Sequence, residues 1–485
     1  MPLSVPSLPV PFLSVLLLTT VLAGPVLACA DLPATTAAAL GLAQAQARVA
    51  DCHPDVRATR AALGAAQADV QVAGQLPNPQ LTVGAGSVGT SLGSGPWWRK
   101  TYDQSVRLDQ LLERGNKPAL RRAVADATRL AVLADLADAQ RRATAIVAHA
   151  HQDLWALQGR QAQLQAAVGS STESLRLLVA RVRAGDAPAL DATRFRLDDA
   201  RLRADLRQAD ADRQDLQRQL ALLIGAGPVA AQLKALAAEL PADLVLLPQL
   251  EANAADTTTN ATTNTTTNTT TNTTTTDNRP DVAAAQARVS AAELARDLAA
   301  AARTRDVSVG LQFDHWPTSP TNGSGTGNTI SVSVSVPLFI RHANEGELAR
   351  AQADLASAQD SLRRLRDAAG AEQARTAALT HGAAGRRQLV ITQLEPAAEQ
   401  VAAGAELAYR RGASSALELL DARRSLRAVR LERINADADL AKALADWQAA
   451  TRVTGWQAAT NAASTAAGQA AANAAGPQAP ATQNP

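Results

Sequence analysis

Leu81, Val83 and Ala85 alternate with Thr82, Gly84 and Gly86, which is the two-residue period of a strand. The alternation is sharper at Ile330, Val332, Val334 and Val336, separated by Ser331, Ser333 and Ser335 and ended by Pro337. Val307, Val309, Leu311 and Phe313 form a third run, and Tyr102 to about Leu111 a fourth. Strands are therefore expected at about 80–86, 101–111, 306–315 and 329–337.

Elsewhere the period is helical. From Thr35 to about Leu76, Leu40, Ala43, Ala47, Val56, Leu63 and Val70 keep helical spacing, with Pro54 dividing a short leading helix from a longer one. Pro77-Asn78-Pro79 stops it. Asn116 and Pro118 read as an N-cap and a first-turn proline, and no further proline occurs before Arg183. A helix over about 116–183 would be on the order of 100 Å long. Gly185 ends it, and Pro188 opens a helix that runs to Ile224-Gly225. A helix at 280–304 follows, then a long one at about 345–410 bent near Pro396, a turn at Gly412 and a last helix at 415–452.

The order is the same twice. His53-Pro54-Asp55-Val56 recurs as Arg279-Pro280-Asp281-Val282, about 226 residues on, and Ala58, Ala61, Ala65, Ala66, Ala73 and Gly84 fall on Ala284, Ala287, Ala291, Ala292, Ala299 and Gly310. Arg183-Ala184-Gly185 with Leu190-Asp191 matches Arg410-Arg411-Gly412 with Leu417-Glu418. So long a period argues for a duplicated protomer rather than a solenoid. The expected units are a signal at 1–30, a first repeat at 31–225, an irregular segment and Thr/Asn-rich linker at 226–278, a second repeat at 279–456 and a disordered Ala/Gln/Asn/Pro tail at 457–485.

Composition narrows the class. Aromatics are 2% of the 485 residues, and Ala, Leu, Arg, Gln and Asp dominate, a palette for long helices packed on small side chains. Net charge is +2 without a basic block, which argues against nucleic acid. Val10 to Ala28 reads as an export signal, and Ala28-Cys29-Ala30 offers an A-x-A cleavage site that would discard Cys29. Val26-Leu27-Ala28-Cys29 offers a competing lipobox, in which Cys29 is a candidate lipidation site. Cys52 is the only other cysteine, so no intramolecular disulfide framework is expected. No later apolar run reaches the roughly 20 residues of a spanning helix, so any membrane crossing must be by β-barrel. The strands' apolar/small alternation suits a wall between lipid and water. Four strands cannot close a barrel; three protomers supply twelve. Trp97, Trp98, Tyr102 and Trp316 sit near strand ends, as interfacial aromatics do, although surface loops of a soluble protein would also carry them.

No nucleophile motif, P-loop or dinucleotide fingerprint occurs, and no enzyme activity or cofactor is expected. His149 and His151 are two apart and point to different helix faces, so no metal site is expected.

The chain resembles the TolC-type outer membrane efflux family over roughly 38–456. Pro54-Asp55-Val56, Pro77-Asn78-Pro79, Val336-Pro337-Leu338-Phe339 and the two R-x-G-x4-L-[DE] turns carry the resemblance. Glu113-Arg114-Gly115-Asn116-Lys117-Pro118 with Arg121-Arg122-Ala123 is similar to the CzcC-like, heavy-metal branch, with Asn116 and Pro118 replacing that branch's second Gly and its Arg. The resemblance implies a mainly α fold with a membrane β-barrel portion: a homotrimer with a helical tunnel and a shared twelve-stranded barrel. It implies a passive exit duct in the cell outer membrane that extends into the periplasm and is served by a periplasmic adaptor and an inner-membrane proton-driven pump. Metal cations are the favoured cargo. Multidrug efflux and type I secretion are alternatives, as is a periplasm-spanning coiled-coil structural protein, for which the strands have no use. By resemblance, Asp191, Tyr409, Glu418 and Asp421 form the periplasmic gate, and Arg183, Gly185, Arg410 and Gly412 the adaptor-docking turns. The same carboxylates would also serve as helix caps or solvent-facing charges.

Overall fold

A computed structural model describes Cys29 and residues 32–86, 102–185, 188–237, 278–316 and 327–451. Residues 1–28, which read as an export signal, the loop with Trp97 and Trp98, the Thr/Asn tract and the tail lie outside the described residues.

The first repeat comprises three short helices, α1 (Ala34–Ala37), α2 (Leu42–Ala47) and α3 (Val49–Cys52), followed by α4 (Pro54–Ala73). Strands β1 (Gln80–Gly86) and β2 (Asp103–Leu112) lead into α5 (Lys117–Arg183) and α6 (Ala189–Ile224). The second repeat comprises α7 (Pro280–Ala301), β3 (Val307–Trp316), β4 (Gly327–Ser335), α8 (Glu345–Leu389), α9 (Glu395–Arg410) and α10 (Ala416–Thr451). A π-helical turn, Val390–Leu394, joins α8 to α9.

The strands form one antiparallel sheet in the order β1-β2-β3-β4. Register places Leu81 opposite Leu108, Leu108 opposite Leu311 and Leu311 opposite Val332; Val83, Val106, Phe313 and Ile330 form the adjacent row. Because side chains alternate across a strand, these rows share one face. That face is bare: Leu81, Val83, Ile330, Val332 and Val334 are each at least 66% exposed. An uncovered apolar face of this extent marks a surface for a membrane or for a partner. Among the described residues, no helix is long and apolar enough to cross a membrane.

At 67 residues, α5 is about 100 Å long. It packs through small side chains, with Ala127, Ala131, Ala134, Ala143 and Ala148 buried along it. Midway, it meets the main core: Leu40, Val49, Val56, Val147, Leu154, Leu220 and Ile224. Full burial of a leucine such as Leu154 contributes about 1.5–3 kcal/mol. After α6 the described chain continues only to residue 237 before resuming at 278. A 3-10 turn, Gly227–Gln232, leads to a parallel bridge between Leu40 and Ala235, and Leu233 is buried in the core.

The strand-to-helix joints are duplicated. Asn116 and Asn344 both take φ +59°, the left-handed conformation that Asn tolerates better than other side chains. Asn116 precedes α5 as expected, but its side chain makes no cap bond. The joint is held instead by Glu113 with Arg121 and by Lys117 Nζ donating to Asp306 at 2.8 Å.

One expectation is overturned. Cys29 and Cys52 are joined by a disulfide, so the sulfur that the lipobox would acylate is bonded to a neighbour. The expectation failed because both processing schemes removed Cys29 from consideration as a partner.

Candidate functional site at the sheet and the hairpin tips

The sheet's other face carries Thr82, Ser105, Arg107, Asp109, Gln312, Asp314, Ser331 and Ser333. Arg107 donates to Asp109 through Nε at 2.7 Å and Nη2 at 2.8 Å, and through Nη2 to Ser333 Oγ at 3.2 Å. The fork lies flat over Gly310, where an added Cβ would stand 2.5 Å from both Asp109 Oδ1 and Ser333 Oγ. One face is therefore fit for hydrocarbon and the other for water, with charges neutralised in place.

At the far end of the helices, both hairpins turn on a left-handed glycine, Gly185 at φ +85° and Gly412 at φ +75°. A β-carbon at either would meet nothing within 4 Å, so the conformation, not crowding, requires glycine. Between them lies one apolar cluster: Leu178, Ala192, Phe195, Ala416, Leu419 and Leu420, with Tyr409 packed against it. Each repeat contributes half, which brings the two predicted turns to one end of the protomer.

Tyr409 is half-buried with the Arg181 guanidinium 5.8 Å above its ring. Asp191, in the first turn of α6, lies 3.5 Å from Arg194. Glu418 is exposed, and its backbone N–H donates to Ser415 Oγ at 3.2 Å, an N-cap for α10. Asp421 is exposed and 3.6 Å from Arg424. Of the docking residues, Arg183 is exposed and Arg410 pairs with Glu406 at 2.6 Å. Sequence reasoning missed the ties between the hairpins. Arg424 Nε donates to the buried Asp198 at 2.9 Å, and Arg423 Nη1 to Ser174 Oγ at 2.8 Å. Adjacent acids Asp198 and Asp199 on the inward side of α6 were the available signal.

Nearer the sheet, His149 Nε2 lies 2.7 Å from Asp446, whereas His151, fully buried, meets the Leu40 carbonyl at 2.8 Å. The two rings thus face different neighbours. Burial pushes the His151 pKa down, against a partly compensating bond to Leu40. Among the described residues, no three His, Cys, Asp or Glu side chains converge as metal ligands would.

This architecture has relatives. A Pseudomonas aeruginosa membrane protein is 20% identical, covering 85% of this chain and 93% of that one at a TM-score of 0.67. VceC, an outer membrane protein of Vibrio cholerae, is 19% identical over 84% and 95% at 0.65. CusC, described through its folding and transmembrane channel formation, is 17% identical over 88% and 95% at 0.65. At such identities the likeness is one of fold. No curated protein sequence matches this chain significantly. The model of outer membrane efflux proteins matches residues 47–226 and 273–451, both repeats. The two-faced sheet, the long hairpins and this match together place the chain in the outer membrane efflux protein family, as a non-enzymatic channel protein of the outer membrane.

Proposed function

We propose that this protein is the outer-membrane exit duct of a tripartite efflux system. Three protomers join edge to edge through β1 and β4, closing a twelve-stranded barrel, while their hairpins line a periplasmic tunnel. The bare apolar face of the sheet carries this reading, since a coiled-coil tether would have no need of it. Outer-membrane fractionation, heat-modifiable migration and conductance in planar bilayers test it; a soluble monomer would overturn it.

The tunnel's entrance is assigned to the tip, where Asp191, Tyr409, Glu418 and Asp421 become threefold rings that hold it closed. Arg183, Gly185, Arg410 and Gly412 meet a periplasmic adaptor, and the adaptor links the duct to a proton-driven inner-membrane pump. Asp421→Ala should raise single-channel conductance without changing trimer yield; unchanged conductance removes Asp421 from the gate.

Metal cations are the proposed cargo, on the similarity of the Glu113–Arg122 stretch. A deletion strain should lose tolerance to zinc, cobalt, cadmium or copper. Lost drug tolerance with metal tolerance intact would favour multidrug efflux instead.

A further inference from the structure

Cys29 lies against the end of α6, far from the sheet. Its Cα is 5.1 Å from that of Cys52, the last residue of α3. Arg48 braces the place, with Nε donating to the Ile224 carbonyl at 2.8 Å and Nη2 reaching Cys29 Sγ at 3.2 Å. Gly225 takes φ +65°, and a Cβ there would overlap Cys29 Sγ and approach Cys52 Cβ to 3.1 Å. Leu32, three residues on, is buried in the main core, so this part of the chain is pinned.

The position matters because α4 separates it from the sheet. That helix has 20 residues, about 30 Å, and ends beside the start of α5, where Arg121 bonds the Gln75 carbonyl. An acyl chain spans about half of a roughly 30 Å hydrocarbon core. A lipid on Cys29 would end short of the bilayer that the sheet occupies.

We propose that Cys29 is retained as the first residue of the mature chain and is oxidised with Cys52 rather than acylated. Cleavage after Ala28, with Val26 and Ala28 at the two specificity positions, leaves Cys29 in place. Cleavage after Ala30 would remove it. In the bond-forming step, the two thiols exchange with the disulfide of an oxidised dithiol oxidoreductase outside the inner membrane. One S–S bond forms here, one breaks in the oxidant, and the two thiol protons pass to its reduced sulfurs. The staple then fixes the mature N-terminus to the middle of the helical barrel, and the sheet alone holds the protein in the membrane.

Peptide mapping of the full chain, exported from its own signal and purified from outer membranes, tests this. With N-ethylmaleimide blocking and no reductant, trypsin should release Cys29–Arg48 joined to Val49–Arg57. After reduction each peptide should take one maleimide. In Cys52→Ser, Cys29 should react without reduction and incorporate no alkynyl palmitate. A diacylated N-terminal peptide, a mature chain lacking Cys29, or Cys52 alkylated before reduction would each overturn the proposal. These readouts are independent of trimer formation and conductance, so the duct reading and the staple fail separately.

Discussion

The two repeats share an order of elements and part company in how each is held. The first opens on His53, whose Nδ1 accepts the Asp55 N–H as a helix cap while its Nε2 is buried without a partner. The second opens on Arg279, which donates to Asp281 at 2.7 Å and to Glu372 at 2.8 Å, with only 3% of its side chain exposed. Their long helices differ as well. Continuous α5 buries residues along most of its length against both repeats. Between α8 and α9 the helix widens into a π turn just before Pro396, and α9 buries only Ala402. Leu389, Leu394, Val401 and Leu407 are exposed along this arm. Duplication thus supplied one well-packed arm and one loosely packed arm tied by surface ion pairs such as Arg430 with Glu399 at 3.1 Å.

The sharpest test is at the paired openings. Arg279→Met removes the direct partner of Asp281, which keeps Arg141 3.8 Å away, and of the partly exposed Glu372, and should cost about 1.5–3 kcal/mol. His53→Ala removes a cap and should cost about 0.5–2 kcal/mol. Thermal unfolding by circular dichroism measures both, and equal losses would erase the contrast. Next come the long helices. Val168, about 228 residues before Pro396, lies in uninterrupted α5, so Val168→Pro should cost about 3 kcal/mol or more. Pro396→Ala should cost nothing and slow amide exchange around 388–396, since it restores a donor for the Thr392 carbonyl.

The paired sheet glycines should follow. Gly310→Ala drives a methyl into Asp109 and Ser333 and should cost about 1–3 kcal/mol. Gly84→Ala meets only Ser105 Oγ, which can rotate away, and should cost less. Loss of heat-stable oligomer on gels is the readout.

Smallest is the response to acid. Burial lowers the pKa of both His53 and His151. The unfolded rings protonate first below about pH 6.5, so stability is full above that and falls as pH drops toward the folded values. Asp281 acts lower. Burial works against its charge, but Arg279 and Arg141 outweigh that and hold its pKa below the ordinary value. Its contribution is present above about pH 3.9 and disappears as pH falls through the folded value. Melting temperature against pH should therefore drop in two stages, and His151→Gln should shrink the upper one, leaving the part due to His53, without changing the lower.

These contrasts show what a sequence displays. The strands were legible because a sheet between oil and water must alternate at every residue, as Ile330 to Val336 does. Turns at Gly185 and Gly412 were legible because left-handed backbone calls for glycine. Arg279 with Glu372 was not, since the partners are 93 residues apart and either reads alone as a surface charge. Tyr409 stood out by rarity, yet Arg181 and Phe195 beside it come from the other repeat and have no local signal. The π turn left only Pro396 as a trace. The Cys29–Cys52 bond was hidden by the assumption that one partner leaves with the signal or takes a lipid.

The hairpins also constrain how such a chain can change in length. In two antiparallel helices closed by a fixed turn, a residue inserted in one rotates everything beyond it by about 100° and slides it by about 1.5 Å. Arg424 would lose Asp198, and Tyr409 would leave the cluster of the opposite arm. Only insertions of whole turns, matched between α5 and α6 and again between α8–α9 and α10, restore both facing and level. Growth of this protein therefore comes in coordinated quanta spread over four segments.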